Sequence, residues 1–309
     1  MRKCVVAAVC LLFVSSVAQA GPVVPGDIAH DAKWFGHINI EAVHSMEAVQ
    51  DLRAKMEEND RVKDRMAEMA KKTGVNPAED LLGVTIYATQ YEGDVGVGLF
   101  YLKKFDAEKL VAMLKEKHSD VQTSNHGDRV LYTWLVKHRR GEMELTGAIA
   151  SENLIVIGAG EAEVKAALDV IGGKKDGLEA DASLLAAASK NSLFASNAID
   201  VPSDYQKTTK CPVLKKCDAA SVNWMEKKGK ITAKYEFTTK SEEMANGFKG
   251  IIDGAIAMAD LRIKKMDAVK KVLDGLKYKA KGNVFSVTWK TTTDDIEAAV
   301  KQAMESRRH

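Results

Sequence analysis

Apolar positions along this chain change their period repeatedly, and each change marks an element. Trp34-Phe35-Gly36-His37-Ile38-Asn39-Ile40 reads as a first strand. Val43, Met46, Val49, Leu52 and Met56 then recur at helical spacing, and Val62, Met66 and Met69 repeat it in a shorter helix. Gly74 and Pro77 close that region.

From there one theme recurs: strand, tight turn, strand, helix. Residues 82–91 and 95–103 predict a hairpin around Glu92-Gly93-Asp94, followed by a helix starting at Asp106 and carrying Leu110, Val111 and Leu114. Residues 143–150 and 153–158 predict a second around Ser151-Glu152-Asn153, again followed by a helix. Residues 220–227 and 230–239 pair around Lys228-Gly229. Thr239 with Glu242 then gives a capping-box start to a helix through Phe248, Ile251, Ile252, Ala255 and Ile256. Tyr278–Lys281 and Val284–Thr291 pair around Gly282-Asn283, and Asp294 caps a helix bearing Ile296, Ala299, Val300 and Ala303.

The units group in pairs behind two lead strands. WFGHINIEAV (34–43) and LFASNAIDVP (193–202) match at Phe35 with Phe194, Ile40 with Ile199 and Glu41 with Asp200. The expected organisation is a leader (21–30), a first half (31–172), a connector (173–191) and a second half (192–309). Antiparallel hairpins each followed by a helix define an α+β class, with two similar halves and helices packed on one face of each sheet.

The N-terminus sets the compartment. Arg2 and Lys3 precede an apolar run from Val5 to Val17, and Ala18-Gln19-Ala20 is a small-residue cleavage site before Gly21. The apolar run is too short to span a bilayer and no stop-transfer segment follows. The expectation is an exported protein, periplasmic or extracellular, with no transmembrane segment in the mature chain. Without Arg2 and Lys3 the basic residues fall from 45 to 43, equal to the 43 acidic ones. A near-neutral chain of mixed charge lacks the electrostatic footprint for nucleic acid.

Cys4 and Cys10 leave with the signal, so Cys211 and Cys217 remain, in CPVLKKC. In an oxidising compartment such a close pair is most simply a local disulfide. A redox dithiol would ordinarily have two intervening residues rather than five, and a zinc site would need two further ligands that no nearby histidine supplies.

Gly158-Ala159-Gly160 ends an apolar run and opens a helix, as a dinucleotide-binding turn does. The third glycine of that fingerprint is replaced by Glu163. Glu161 and Glu163 suit the positive end of the helix but repel a phosphate. Gly160 therefore reads as an ordinary N-cap. His30, His37 and His44 recur every seven residues on unlike elements, and His118, His126 and His138 lack metal-ligand spacing. No HExxH or GxSxG occurs. No cofactor, metal or catalytic set is predicted.

Two apolar features remain. Gly247, Gly250 and Gly254 share a helix with Ile251 and Met258, where close packing on the sheet competes with a thin wall for a ligand or partner helix. Met46, Met56, Met66 and Met69 read as core or as an adaptable binding surface.

The lead strand, the unit LLGVTIYATQYEGDVGVGLFYLKKFDAEKLVAML, and ENLIVIGAGEAEVKAALDVIGGK with its SLLAAA helix together resemble a loose class of exported bacterial proteins of unknown function, common in planctomycete-like genomes. The resemblance covers most of residues 31–200 and brings no catalytic residues. The functional expectation is a non-catalytic exported protein that binds a partner or apolar ligand, or is structural in the envelope. The alternative is a hydrolase or isomerase whose site is assembled from scattered residues.

Overall fold

A computed structural model of the chain describes residues 21–47, 49–50, 60–91, 96–138, 141–208, 214–262 and 266–306. The first half comprises β1 (Trp34–Asn39), α1 (Ile40–His44), α2 (Asp60–Thr73), β2 (Leu81–Ala88), β3 (Val97–Leu102), α3 (Ala107–Lys117), β4 (Gln122–His126), β5 (Arg129–His138), β6 (Gly141–Ser151), β7 (Leu154–Gly158) and α4 (Glu161–Ile171). The second comprises β8 (Ser192–Ala198), α5 (Ser203–Thr208), β9 (Cys217–Lys227), β10 (Lys230–Thr239), α6 (Glu242–Arg262), α7 (Asp267–Asp274), β11 (Leu276–Lys281), β12 (Val284–Thr292) and α8 (Thr293–Ser306).

The class is α+β with antiparallel strands, as expected, but the strands form one sheet rather than two. Its twelve strands run β11-β12-β10-β9-β8-β1-β2-β3-β7-β6-β5-β4. The lead strands β1 and β8 join edge to edge, with Gly36 opposite Ser196 and Ile38 opposite Phe194. Outward from that junction both sides run lead strand, hairpin, then a second hairpin entered by its later strand. The first side carries an extra hairpin, β4–β5, turning at Gly127, whose φ of +62° suits a residue without Cβ.

The halves bury opposite faces. On one face Phe35, Tyr87, Leu99 and Val156 pack beneath Val164, Ala167 and Leu168 of α4, which recur at the helical spacing that makes one apolar side. Beyond β9 that face turns polar, with Lys234, Glu236, Lys277 and Lys279 exposed. The other face is covered there instead. Phe285 stacks with Phe237 and receives Phe248 of α6 at 5.9 Å, and Trp289 Nε1 donates to Val272 O of α7 at 2.8 Å. Helices thus lie on both faces of the sheet, and Phe35 and Phe194 look to opposite sides. Alternation carries the reason: strand residues of one parity share a face, and the apolar parity switches across the junction.

The predicted leader is part of the core. Ile28 is fully buried, Tyr101 donates to Asp27 Oδ2 at 2.9 Å, and Leu178 N donates to Ile28 O. The connector is tied down from β8, where Asn197 Nδ2 donates to Ser183 O and Leu184 O. Caps fall close to expectation. Asp106 Oδ1 accepts from Lys109 N and Gly160 is the N-cap of α4, whereas Ser241 rather than Thr239 caps α6, and Thr292 rather than Asp294 caps α8.

Candidate functional site

Cross-strand register builds a single apolar row along the face opposite Phe35. It runs Leu276, Trp289, Ala233, Trp224, Phe194, Ile38, Val84, Phe100, Ile155 and Ile149, each directly opposite the next. A neighbouring row reads Val222, Ser196, Gly36, Ile86, Gly98, Ile157 and Gly147. Its glycines have no side chain to fill the surface. A Cβ at Gly98 would lie 3.0 Å from the Phe100 ring, and one at Gly147 would lie 3.2 Å from that of Trp134.

The two ends of this face are covered. Lys115 of α3 stands over the Tyr132 ring and His118 lies beside Trp134, while α6 and α7 cover Phe285 and Trp289. The middle is open. Ile38 is 44% exposed, Ile86 47% and Trp224 42%. Strands lie about 4.8 Å apart, so the open stretch from β2 to β9 is roughly 15–20 Å wide. Trp224 is held edge-on to Phe194 at 6.1 Å and donates through Nε1 to the Tyr235 hydroxyl at 3.0 Å. Single exposed apolar residues are ordinary, whereas a contiguous aromatic and aliphatic surface rimmed by helices marks an interaction site.

The junction beneath is rigidly tied. The Tyr91 hydroxyl contacts Lys33 O at 3.1 Å and Ile199 O at 2.6 Å, one carbonyl from each half. Burial first, and the Asp200 carboxylate second, hold its phenol far above the ordinary range, so it remains a donor. Lys33 and Asp200 form an ion pair at 3.1 Å across the same seam.

The dinucleotide-like turn has a packing role. A Cβ at Gly158 would lie 2.9 Å from Val164 Cγ2, and one at Gly160 would lie 2.8 Å from Glu163 Oε2. Gly158 lets α4 start tightly against β7, whereas the contact at Gly160 is only the mobile end of Glu163. A shallow pocket beside them, lined by Tyr87, Gln90, Gly96, Glu163 and Ala166 among others, presents a carboxylate and, among the described residues, no cation.

The histidines diverge. His30 is exposed, and His37 is buried with Nδ1 at 2.8 Å from Thr85 Oγ1 and Nε2 at 3.1 Å from Gly21 O. Burial lowers the His37 pKa, partly opposed by the Gly21 carbonyl. His126 Nε2 meets Asp169 Oδ1 at 2.8 Å, and that hydrogen bond holds the Asp169 carboxyl below its usual range. Lys174 lies 3.7 Å from the same oxygen, so the contact latches the edge hairpin to the end of α4. Among the described residues no group of three or more His, Cys, Asp or Glu side chains could hold a metal ion.

Cys217 is buried at the start of β9, and Cys211 lies outside the described residues. Leu52, Met56 and the Glu92-Gly93-Asp94 turn also lie outside them. Met69 is 47% exposed on α2. The α6 glycines do not pack on the sheet: a Cβ at Gly247, Gly250 or Gly254 would meet nothing within 4 Å. Ile251 and Met258 beside them are exposed, and Ala245 on the opposite side is fully buried.

The open apolar face escaped the sequence reading, although a signal was present. β1 carries Phe35 and Ile38, and β2 carries Tyr87 and Ile86, so both parities are apolar. Such strands ordinarily have both faces covered. Here, among the described residues, one cover is missing.

No protein family and no curated protein matches the sequence. Among solved structures the chain is similar to crystal form III of TP0453, at 8% identity over 92% of this chain and 100% of that one, with a TM-score of 0.47. Crystal form IV of TP0453 aligns at 9% identity over 93% and 100%, with a TM-score of 0.46. Among the described residues no helix is long and apolar enough to cross a membrane.

Proposed function

We propose that this chain is an exported, non-catalytic binding protein, and that the open apolar face over β2, β1, β8 and β9 holds an extended apolar ligand such as an acyl chain. The single observation that carries this reading is the exposure of Ile38, Ile86 and Trp224 on neighbouring rows of one face between covering helices. At about 25 cal/mol per Å², an unbranched chain laid along that face gains several kcal/mol from burial. The Trp224 indole sits within the face and reports occupancy directly. Titrating the mature protein with a fluorescent long-chain fatty acid tests the reading: saturable energy transfer from tryptophan is expected, and its absence contradicts it.

The signal-like residues 1–20 support export, and export supports a Cys211–Cys217 disulfide. Closing so short a loop stabilises by ~2 kcal/mol in the chain-entropy model. A thiol titration of the secreted, unfolded and unreduced chain should find neither of these cysteines reactive; reactive thiols there would remove the bridge.

The catalytic alternative would centre on His126 and Asp169, the histidine–carboxylate contact a hydrolase needs. Their engagement with Lys174 and the edge hairpin favours a structural role for them.

A further inference from the structure

Gly21, the residue after the cleavage signal, is buried in a socket made by three residues around the end of β1. Its carbonyl oxygen lies 3.1 Å from His37 Nε2, and His37 is itself only 1% exposed. An added Cβ would lie 2.7 Å from Glu41 Oε2 and 3.4 Å from Asn39 Oδ1. The Gly21 Cα therefore faces a carboxylate oxygen and the Asn39 side-chain amide, whose Nδ2 would lie 3.5 Å from the same Cβ. Asn39 Oδ1 is fixed there, because it also accepts from Ala42 N at 2.9 Å. The socket thus offers acceptors to a residue that has one backbone N–H while it remains joined to Ala20.

We propose that cleavage after Ala20 creates the group this socket suits: the Gly21 α-ammonium, docked against the Glu41 carboxylate. Hydrolysis of the Ala20–Gly21 amide by a signal-type peptidase consumes one water. It leaves a carboxylate on Ala20 and an amine on Gly21, which takes up a proton at neutral pH. One neutral donor becomes a cation with three, beside a carboxylate. Residues 21–32 lead from there into the core at Ile28 and Ala32, so the docked terminus fastens a strap held by the first half and the connector. Maturation on this account completes the fold as well as freeing the chain.

The inference rests on the export reading, and the experiment separates the two. Chain beginning at Gly21 is made by intracellular expression with initiator methionine removal, checked by intact mass, beside a form that keeps Gln19-Ala20. Each is compared with its Glu41→Gln variant. The Gly21 form should melt about 2–4 °C above the extended form, the shift one modest ion pair gives a chain of this size. Glu41→Gln should lower the melting temperature of the Gly21 form alone. It should also speed acylation of the α-amine several-fold. Equal melting of the two forms, or the same Glu41→Gln effect in both, overturns the socket. Secretion of the full chain from an export-competent host, followed by intact mass, tests processing on its own: a start elsewhere than Gly21 overturns the cleavage site, whatever the melting data show.

Discussion

Ile38 of β1 and Phe194 of β8 stand directly opposite each other across the seam between the two halves of the chain. The pair faces away from the core that Phe35 and Ala195 build on the other side of the same strands. Ile38 remains nearly half exposed because the core changes faces at this seam: α4 covers one side of the first half, and α6 and α7 cover the other side of the second. An apolar surface at the point of exchange is a consequence of that architecture. Its aromatic content and its position between the two helix-covered ends of the face are what make it a candidate for binding.

The seam depends on Tyr91. Its hydroxyl reaches Lys33 O and Ile199 O, and Lys33 O also accepts from Ile199 N at 2.9 Å. Tyr91→Phe should cost about 1–2 kcal/mol, measured by urea unfolding, because Ile199 O, the nearer carbonyl, loses its phenolic donor. Its ring packing on Tyr205 at 5.2 Å would be kept. An unchanged midpoint would show that the phenol adds nothing to the strand pairing and the Lys33–Asp200 contact at the seam.

His37 predicts a pH dependence whose sign is fixed by burial. Its folded pKa is lowered from 6.5, so the unfolded chain takes up the proton first. The stabilisation is fully present above about pH 6.5 and is lost as pH falls from there through the folded value. Stability should therefore begin to decline as pH falls below about 6.5, above the range where most carboxylates titrate. In His37→Gln that slope should disappear. A slope that survives the substitution assigns the proton uptake elsewhere.

Much of the order of elements was legible because turns and periods agree. Lys228-Gly229 and Gly282-Asn283 sit at the tips of β9–β10 and β11–β12 as read, and Gly160 begins α4. The β4–β5 hairpin was missed because Gln122-Thr-Ser-Asn-His126 is a polar edge strand with no apolar alternation to mark it. The match of Phe35 with Phe194 was legible as letters, but side-chain parity depends on register across β1 and β8, which only pairing reveals. The role of Gly158 was hidden for a similar reason: its constraint is Val164, brought back by the helix that follows.

The α6 glycines give a prediction about helix chemistry. Gly247, Gly250 and Gly254 have open space where a Cβ would go, so replacing all three with alanine meets no clash. Each replacement should stabilise by about 0.5–1 kcal/mol through reduced backbone entropy in the unfolded chain. The check is thermal melting of the triple variant, which should rise by several degrees. A fall would mean that this face is packed in the folded protein.

The most direct test of the central claim is equilibrium binding of a fluorescent long-chain fatty acid to the mature chain and to an Ile38→Ser, Ile86→Ser, Trp224→Ser variant. Occupancy is read in both by the ligand's own emission, alongside melting curves. The account predicts saturable one-to-one binding, weakened about tenfold or more in the triple variant while its melting temperature stays within a few degrees. Equal binding by both proteins, or no saturable binding by either, would contradict it.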